Sequence, residues 1–195
     1  TGSSLKKWRK HIHYSKSVSA IKKKGGGVLL ELSHELNNAI NLFGFPNWIN
    51  ASLINSKILK TNVEDLASIT LGYNNKFPND NFLININLDF IRQDATREII
   101  VIFEHKTIKW NGILQTVDLY DDKKKKWVNL FKSTFIDNDN SYKNMWKYNL
   151  KKIGKDFSDN QVIILNSINI LYLIDKIRLS SKSGKKINLK KINKL

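Results

Sequence analysis

The chain has 195 residues and no Cys, which excludes structural disulfides, thiolate chemistry and cysteine-based zinc sites. Its 41% apolar content, with five Trp and nine Phe, suffices for one good core. The formal charge of +16 resides in the ends: residues 1–27 and 176–195 each carry eight Lys or Arg and no acid, while all 17 carboxylates lie in residues 28–175.

That layout predicts a basic arm over 1–27, a charge-balanced domain over 28–175 and a second basic arm over 176–195. Lys22-Lys23-Lys24 followed by Gly25-Gly26-Gly27 reads as a flexible basic hinge. Leu29, Leu32, Leu36, Ala39, Ile40 and Phe43 recur at three and four and predict one amphipathic helix. Gly44 and Pro46 stop it, and the turn presents Phe43, Phe45 and Trp48 together. A strand is expected from Ile49 to Lys60 and an inserted polar loop over about 61–81. Phe82 to Phe90 alternates cleanly, with Ile84, Ile86, Leu88 and Phe90 on one face. Glu98 to Lys109 reads as a second strand, and Trp110-Asn111-Gly112 supplies a hairpin turn into Ile113 to Tyr120. Asp121 to Phe135 is amphipathic around the surface run Lys123 to Lys126. Ser141 is a reasonable N-cap for a helix bearing Met145, Trp146, Leu150 and Ile153, with Lys143, Lys147, Lys151 and Lys155 at spacing four. Gln161 to Ile177 reads as helix, although its Ile and Val also permit a strand.

No apolar run reaches the roughly 20 residues of a membrane span, so no membrane partner is expected. The chain starts at Thr1, and its Lys-rich opening with Trp8, Arg9, His11 and His13 fits the remainder after transit-segment cleavage or, about equally, after tag removal.

In order, four segments resemble the N-terminal domain of the Rad-fifty-two family of single-strand annealing proteins. Ala39 to Trp48 resembles that family's helix ending in Phe-Gly-Tyr-Asn-Gly-Trp, and Asn87-Leu88-Asp89-Phe90-Ile91 its Asn-Val-Asp-Phe-Val strand. Ile108 to Gly112 sits where the family has a Leu-Lys-Asp-Gly turn, and Leu150 to Phe157 is similar to its Leu-Lys-Arg-Ala-Leu-Arg-Ser-Phe helix. The resemblance implies an α+β fold with a helix, a three-stranded antiparallel sheet and a helix. It also implies a positive groove for single-stranded nucleic acid in which Lys109, Lys151, Lys152 and Lys155 meet phosphate. Departures stand beside it: Glu35 next to His34 where the family has a base, and Asp121 to Asn140 in place of a Gly/Ser-rich segment.

These readings together predict a non-catalytic nucleic-acid binder. The first form is a structural RNA-binding subunit of a ribonucleoprotein such as a mitochondrial ribosome, with ribosomal RNA and neighbouring protein subunits as partners. The alternative is a nuclear recombination mediator forming a homo-oligomeric ring on single-stranded DNA. The contact residues expected are Lys109, Lys143, Lys147, Lys151, Lys152 and Lys155, the stacking aromatics Phe45 and Trp48, and the terminal bases Lys22, Lys23, Lys24, Lys185, Lys186, Lys190 and Lys191. Helix-end aromatics are also ordinary core residues, and a lysine stripe is also an ordinary solvated face. His11, His13, His34 and His105 read as surface or core histidines, and no metal set is expected. No glycine-rich phosphate loop, nucleophile elbow or dinucleotide fingerprint is present, so no cofactor is expected.

Overall fold

A computed structural model describes residues 1–77, 80–133, 138–152 and 158–193. The chain divides into two compact units, Thr1–Ala95 with Asn160–Leu195, and Thr96–Asp159.

In the first unit, helices α1 (Val28–Glu31) and α2 (Ser33–Phe43) follow a series of 3-10 turns. The expected single helix is broken at Leu32, whose backbone (φ −105°, ψ 21°) leaves the helical region. The apolar stripe survives the break: Leu29, Leu32, Leu36 and Ala39 are buried. Gly44 ends α2 at φ 80°, a conformation glycine takes without a Cβ clash. The sheet is built from β1 (Trp48–Ile54), β2 (Leu66–Phe77), β3 (Asp80–Asp89) and β8 (Ile187–Asn188), in the order β3-β2-β1-β8. Every pairing in it is antiparallel.

β2 occupies most of the span expected as a polar loop. Its Ala67, Ile69, Leu71 and Tyr73 alternate into the core and pair across the sheet with Leu88, Ile86, Ile84 and Phe82 of β3. A buried side chain of this size contributes about 1.5–3 kcal/mol, which outweighs the weak strand preference of the intervening Ser, Thr and Gly. Tyr73 stacks on Phe82 (4.4 Å between centroids, 7° between planes), and its hydroxyl donates to Gly44 O at 3.0 Å.

Helix α4 (Ser158–Ser183) lends Leu173, Ile174 and Ile177 to the same core. Its last turns also serve the sheet edge. β8 covers only Trp48 and Ile49 of β1, and the next outward amides donate to helix hydroxyls: Ala51 N to Ser180 Oγ at 3.0 Å and Leu53 N to Ser181 Oγ at 2.8 Å. Buried Asn169 is the other polar anchor of α4. Its amide bridges Leu165 O and Ile192 O, and its oxygen accepts from Ile192 N at 2.9 Å, pinning the segment after β8. Residues 1–27 are packed as well: Leu5 is buried, Leu5 N donates to Phe90 O at 2.8 Å, and Trp8 meets Phe90 edge-on at 5.0 Å.

The second unit is an antiparallel sheet in sequential order: β4 (Glu98–Ile102), β5 (Thr107–Asn111), β6 (Thr116–Asp121) and β7 (Lys126–Lys132). It also contains helix α3 (Asn138–Lys152). The register places Ile99, Val101, Ile108, Trp110, Val117, Leu119 and Val128 on one face. The expected strand from Glu98 to Lys109 is two strands, because the chain reverses at Phe103 to Lys106, closed by Phe103 N to Lys106 O at 2.8 Å. In the turn between β6 and β7 the Asp121 carboxylate accepts the amides of Lys123 and Lys124.

The three-stranded core expected from the Rad-fifty-two resemblance is therefore corrected to two separate four-stranded antiparallel sheets. No described helix is long and apolar enough to cross a membrane.

Candidate functional site

The chemistry best placed for catalysis sits at the start of α2. The helix begins directly after the Leu32 break, so His34 and Glu35 fall in its first turn, where exposed amides favour an acid. Amphipathic spacing points Glu35 inward beside Leu36 and leaves His34 half exposed: the side chains are 7% and 51% accessible respectively. The buried carboxylate is held from two sides. Asn38 Nδ2 donates to Glu35 Oε2 at 3.0 Å, and His34 Nε2 lies 3.3 Å from Glu35 Oε1. A carboxylate at Nε2 places the imidazole hydrogen there and leaves Nδ1 as an acceptor. The arrangement is a solvent-reachable imidazole base, oriented by a buried acid that is itself oriented by an amide. Such a pair can take a proton from a hydroxyl group that donates to Nδ1.

The residues expected to contact nucleic acid are distributed over both units. Phe45 is buried, with Tyr172 as its ring neighbour at 6.3 Å. Trp48 packs so closely over Gly72 that a Cβ there would meet the indole, and Lys186 Nζ lies 4.0 Å from the Trp48 ring centroid. Lys109 pairs with Glu98 at 3.2 Å in the second unit. Lys143, Lys147 and Lys151 are exposed on α3, Lys152 is its last residue, and Lys155 lies outside the described residues. Lys22, Lys23 and Lys24 form an exposed 3-10 turn capped by Gly25 at φ 80°. Lys185 and Lys186 lead into β8, Lys190 N lies 3.5 Å from the Tyr172 hydroxyl, and Lys191 is exposed.

Sequence reasoning treated His34 as an ordinary histidine. The available signal was an adjacent His and Glu at a helix start, with an amide three residues after the acid. Among the described residues no cluster of His, Asp or Glu could hold a metal ion.

No protein-family model matches the chain, and no curated protein sequence does. Solved structures do match. The apo form of levoglucosan dehydrogenase superposes with a TM-score of 0.68 at 11% identity, covering 87% of this chain and 53% of that one. The complex of levoglucosan dehydrogenase with NADH and levoglucosan gives 0.67 at 12% identity, with 87% and 52% covered. UDP-N-acetylglucosamine 3-dehydrogenase from Acidithiobacillus ferrooxidans gives 0.64 at 12%, with 93% and 51% covered. The chain shares the fold of these dehydrogenases. It spans about half the length of each.

This likeness overturns the Rad-fifty-two reading and, with it, the expectation of a non-catalytic RNA-binding or strand-annealing protein: the matched proteins are dehydrogenases. Short patterns of this kind are satisfied by ordinary local structure, and most of the Leu150 to Phe157 match lies outside the described residues. Ala39 to Trp48 is a helix stop feeding β1, and Asn87 to Ile91 is the end of β3.

A dehydrogenase fold raises the question of a nicotinamide dinucleotide, and the described residues do not fit one. Both sheets are antiparallel, whereas the dinucleotide crevice forms at the carboxyl ends of parallel strands. Gly25-Gly26-Gly27 leads into the four-residue α1 rather than joining a strand to a long helix, and Leu30 stands where the fingerprint needs its third small residue. The amides of this turn are also consumed internally, Gly26 N by Ile21 O and Gly27 N by Ser19 O.

Proposed function

We propose that this chain is the substrate-side half of an oxidoreductase acting on a hydroxyl-bearing, sugar-like compound. The observation that carries the reading is the superposition on levoglucosan dehydrogenase over most of this chain and about half of the other. Oxidising a secondary alcohol to a ketone removes the hydroxyl proton as well as a hydride. His34 Nδ1 is the group suited to receive that proton, with Glu35 and Asn38 holding the ring in place. The role given to His34 covers the proton alone.

Amide NMR with levoglucosan as the probe tests this. The expected result is a saturable set of shifts centred on Ser33 to Asn38 that His34→Asn abolishes while the rest of the spectrum is kept. Absence of shifts in that segment at saturating levoglucosan, or identical shifts in His34→Asn, contradicts the reading. NADH added to the same sample is expected to leave the spectrum unchanged.

A further inference from the structure

Apart from α2, the first unit contains a cleft of about 610 Å³, within the range of about 300–1,000 Å³ usual for small-molecule sites. It lies between the Lys22 to Gly26 turn and the last turns of α4. Three cations line it: Lys22, Arg178 and Lys182. Among the described residues neither ammonium has an ion-pair partner, and the Arg178 guanidinium reaches only the exposed Asp175, at 4.0 Å. Ser181 adds a donor. Its Oγ accepts the Leu53 amide at 2.8 Å, which leaves its own hydrogen free to point into the cleft.

The lining also contains a single carboxylate, Glu64. Its position is fixed from the other side: Val28 N donates to its backbone oxygen at 3.1 Å, and Leu29 N to Oε1 at 3.4 Å. Gly27 admits it because any Cβ at that position would collide with the carboxylate. Glu64 Oε2 has no hydrogen-bond partner among the described residues and is free to accept from a ligand hydroxyl. Leu30 completes the wall with an apolar surface suited to ring C–H groups.

We propose that this cleft binds a phosphorylated sugar or polyol. Phosphate sits among Arg178, Lys182, Lys22 and the Ser181 hydroxyl, where the guanidinium offers two parallel donors and the ammoniums offer point charge. A ligand hydroxyl donates to Glu64 Oε2. The opposed chemistry within one cavity favours a ligand that carries both groups, because a simple polyanion would meet the Glu64 charge and a neutral sugar would leave the cations unpaired. The proposal stands independently of the role given to His34.

Isothermal titration of the full chain with glucose 6-phosphate, inorganic phosphate and glucose tests it. Glucose 6-phosphate is expected to bind most tightly, inorganic phosphate about tenfold more weakly, and glucose undetectably. The double variant Arg178→Ala/Lys182→Ala is expected to lose about 100-fold in affinity for the sugar phosphate. Both side chains are on the surface, so its melting temperature should be unchanged. Glu64→Gln should narrow the gap between sugar phosphate and phosphate. Failure of both phosphates to bind, or retention of affinity in the double variant, overturns the site. Equal affinity for glucose 6-phosphate and inorganic phosphate shows bare phosphate to be the source of the binding and overturns the sugar assignment.

Discussion

Tyr73 shows how a single side chain ties the two ends of the first core together. Its ring is sandwiched into the sheet face against Phe82, and its hydroxyl reaches the carbonyl at the α2 stop, Gly44. Burial pushes the phenol well above its ordinary range. The unfolded chain therefore loses this proton near pH 10.0 while the folded chain keeps it, so folding stability is complete below that pH and falls as pH rises past it. Tyr73→Phe should remove that alkaline decline. It should also cost about 1–2 kcal/mol at neutral pH through the orphaned Gly44 carbonyl. Urea unfolding at pH 7 and at pH 11 measures both, and an unchanged alkaline slope in the variant contradicts the burial argument.

Elements in this chain are secured by side chains that substitute for missing strands. β8 is two residues long, and the rest of the β1 edge is finished by the hydroxyls of Ser180 and Ser181. Ser180 is fully buried and also donates to Lys185 O at 2.7 Å, so it joins sheet, helix end and the approach to β8. Ser180→Ala should destabilise by about 1–3 kcal/mol, and Ser181→Ala, which is more exposed, by about 1 kcal/mol or less. Chemical denaturation distinguishes them, and equal costs would contradict the burial ranking. The same elements show what sequence pattern could convey. The α2 stripe and the alternation of β3 were legible because one face of each is uniformly apolar. β2 was equally alternating at Ala67, Ile69, Leu71 and Tyr73, but its Asn and Gly content masked the period. The β4–β5 turn at Phe103 to Lys106 contains neither Gly nor Pro, so nothing local marked it. The His34 and Glu35 pair was visible as residues, yet its significance depends on Glu35 being buried and His34 not.

At the scale of the whole molecule, the placement of charge was legible and its interpretation was not. All of the excess bases do lie in residues 1–27 and 176–195. These segments are woven into the first unit, however, through Leu5, Trp8 and Ala20 at one end and Ile177, Ile187 and the Asn169 clasp on Ile192 at the other. Their apolar anchors are interspersed singly among lysines, which makes each segment read as an arm when only charge is counted. The folded arrangement superposes on dehydrogenases over about half their length; the base proposed for it is His34 on α2, and among the described residues there is no dinucleotide crevice. The most direct test is a crystal structure of the chain grown with levoglucosan. The account predicts a ligand hydroxyl within hydrogen-bond distance of His34 Nδ1, about 2.6–3.2 Å, with Glu35 on the far side of the ring. Levoglucosan bound only elsewhere, with the His34 ring facing bare solvent, would contradict it.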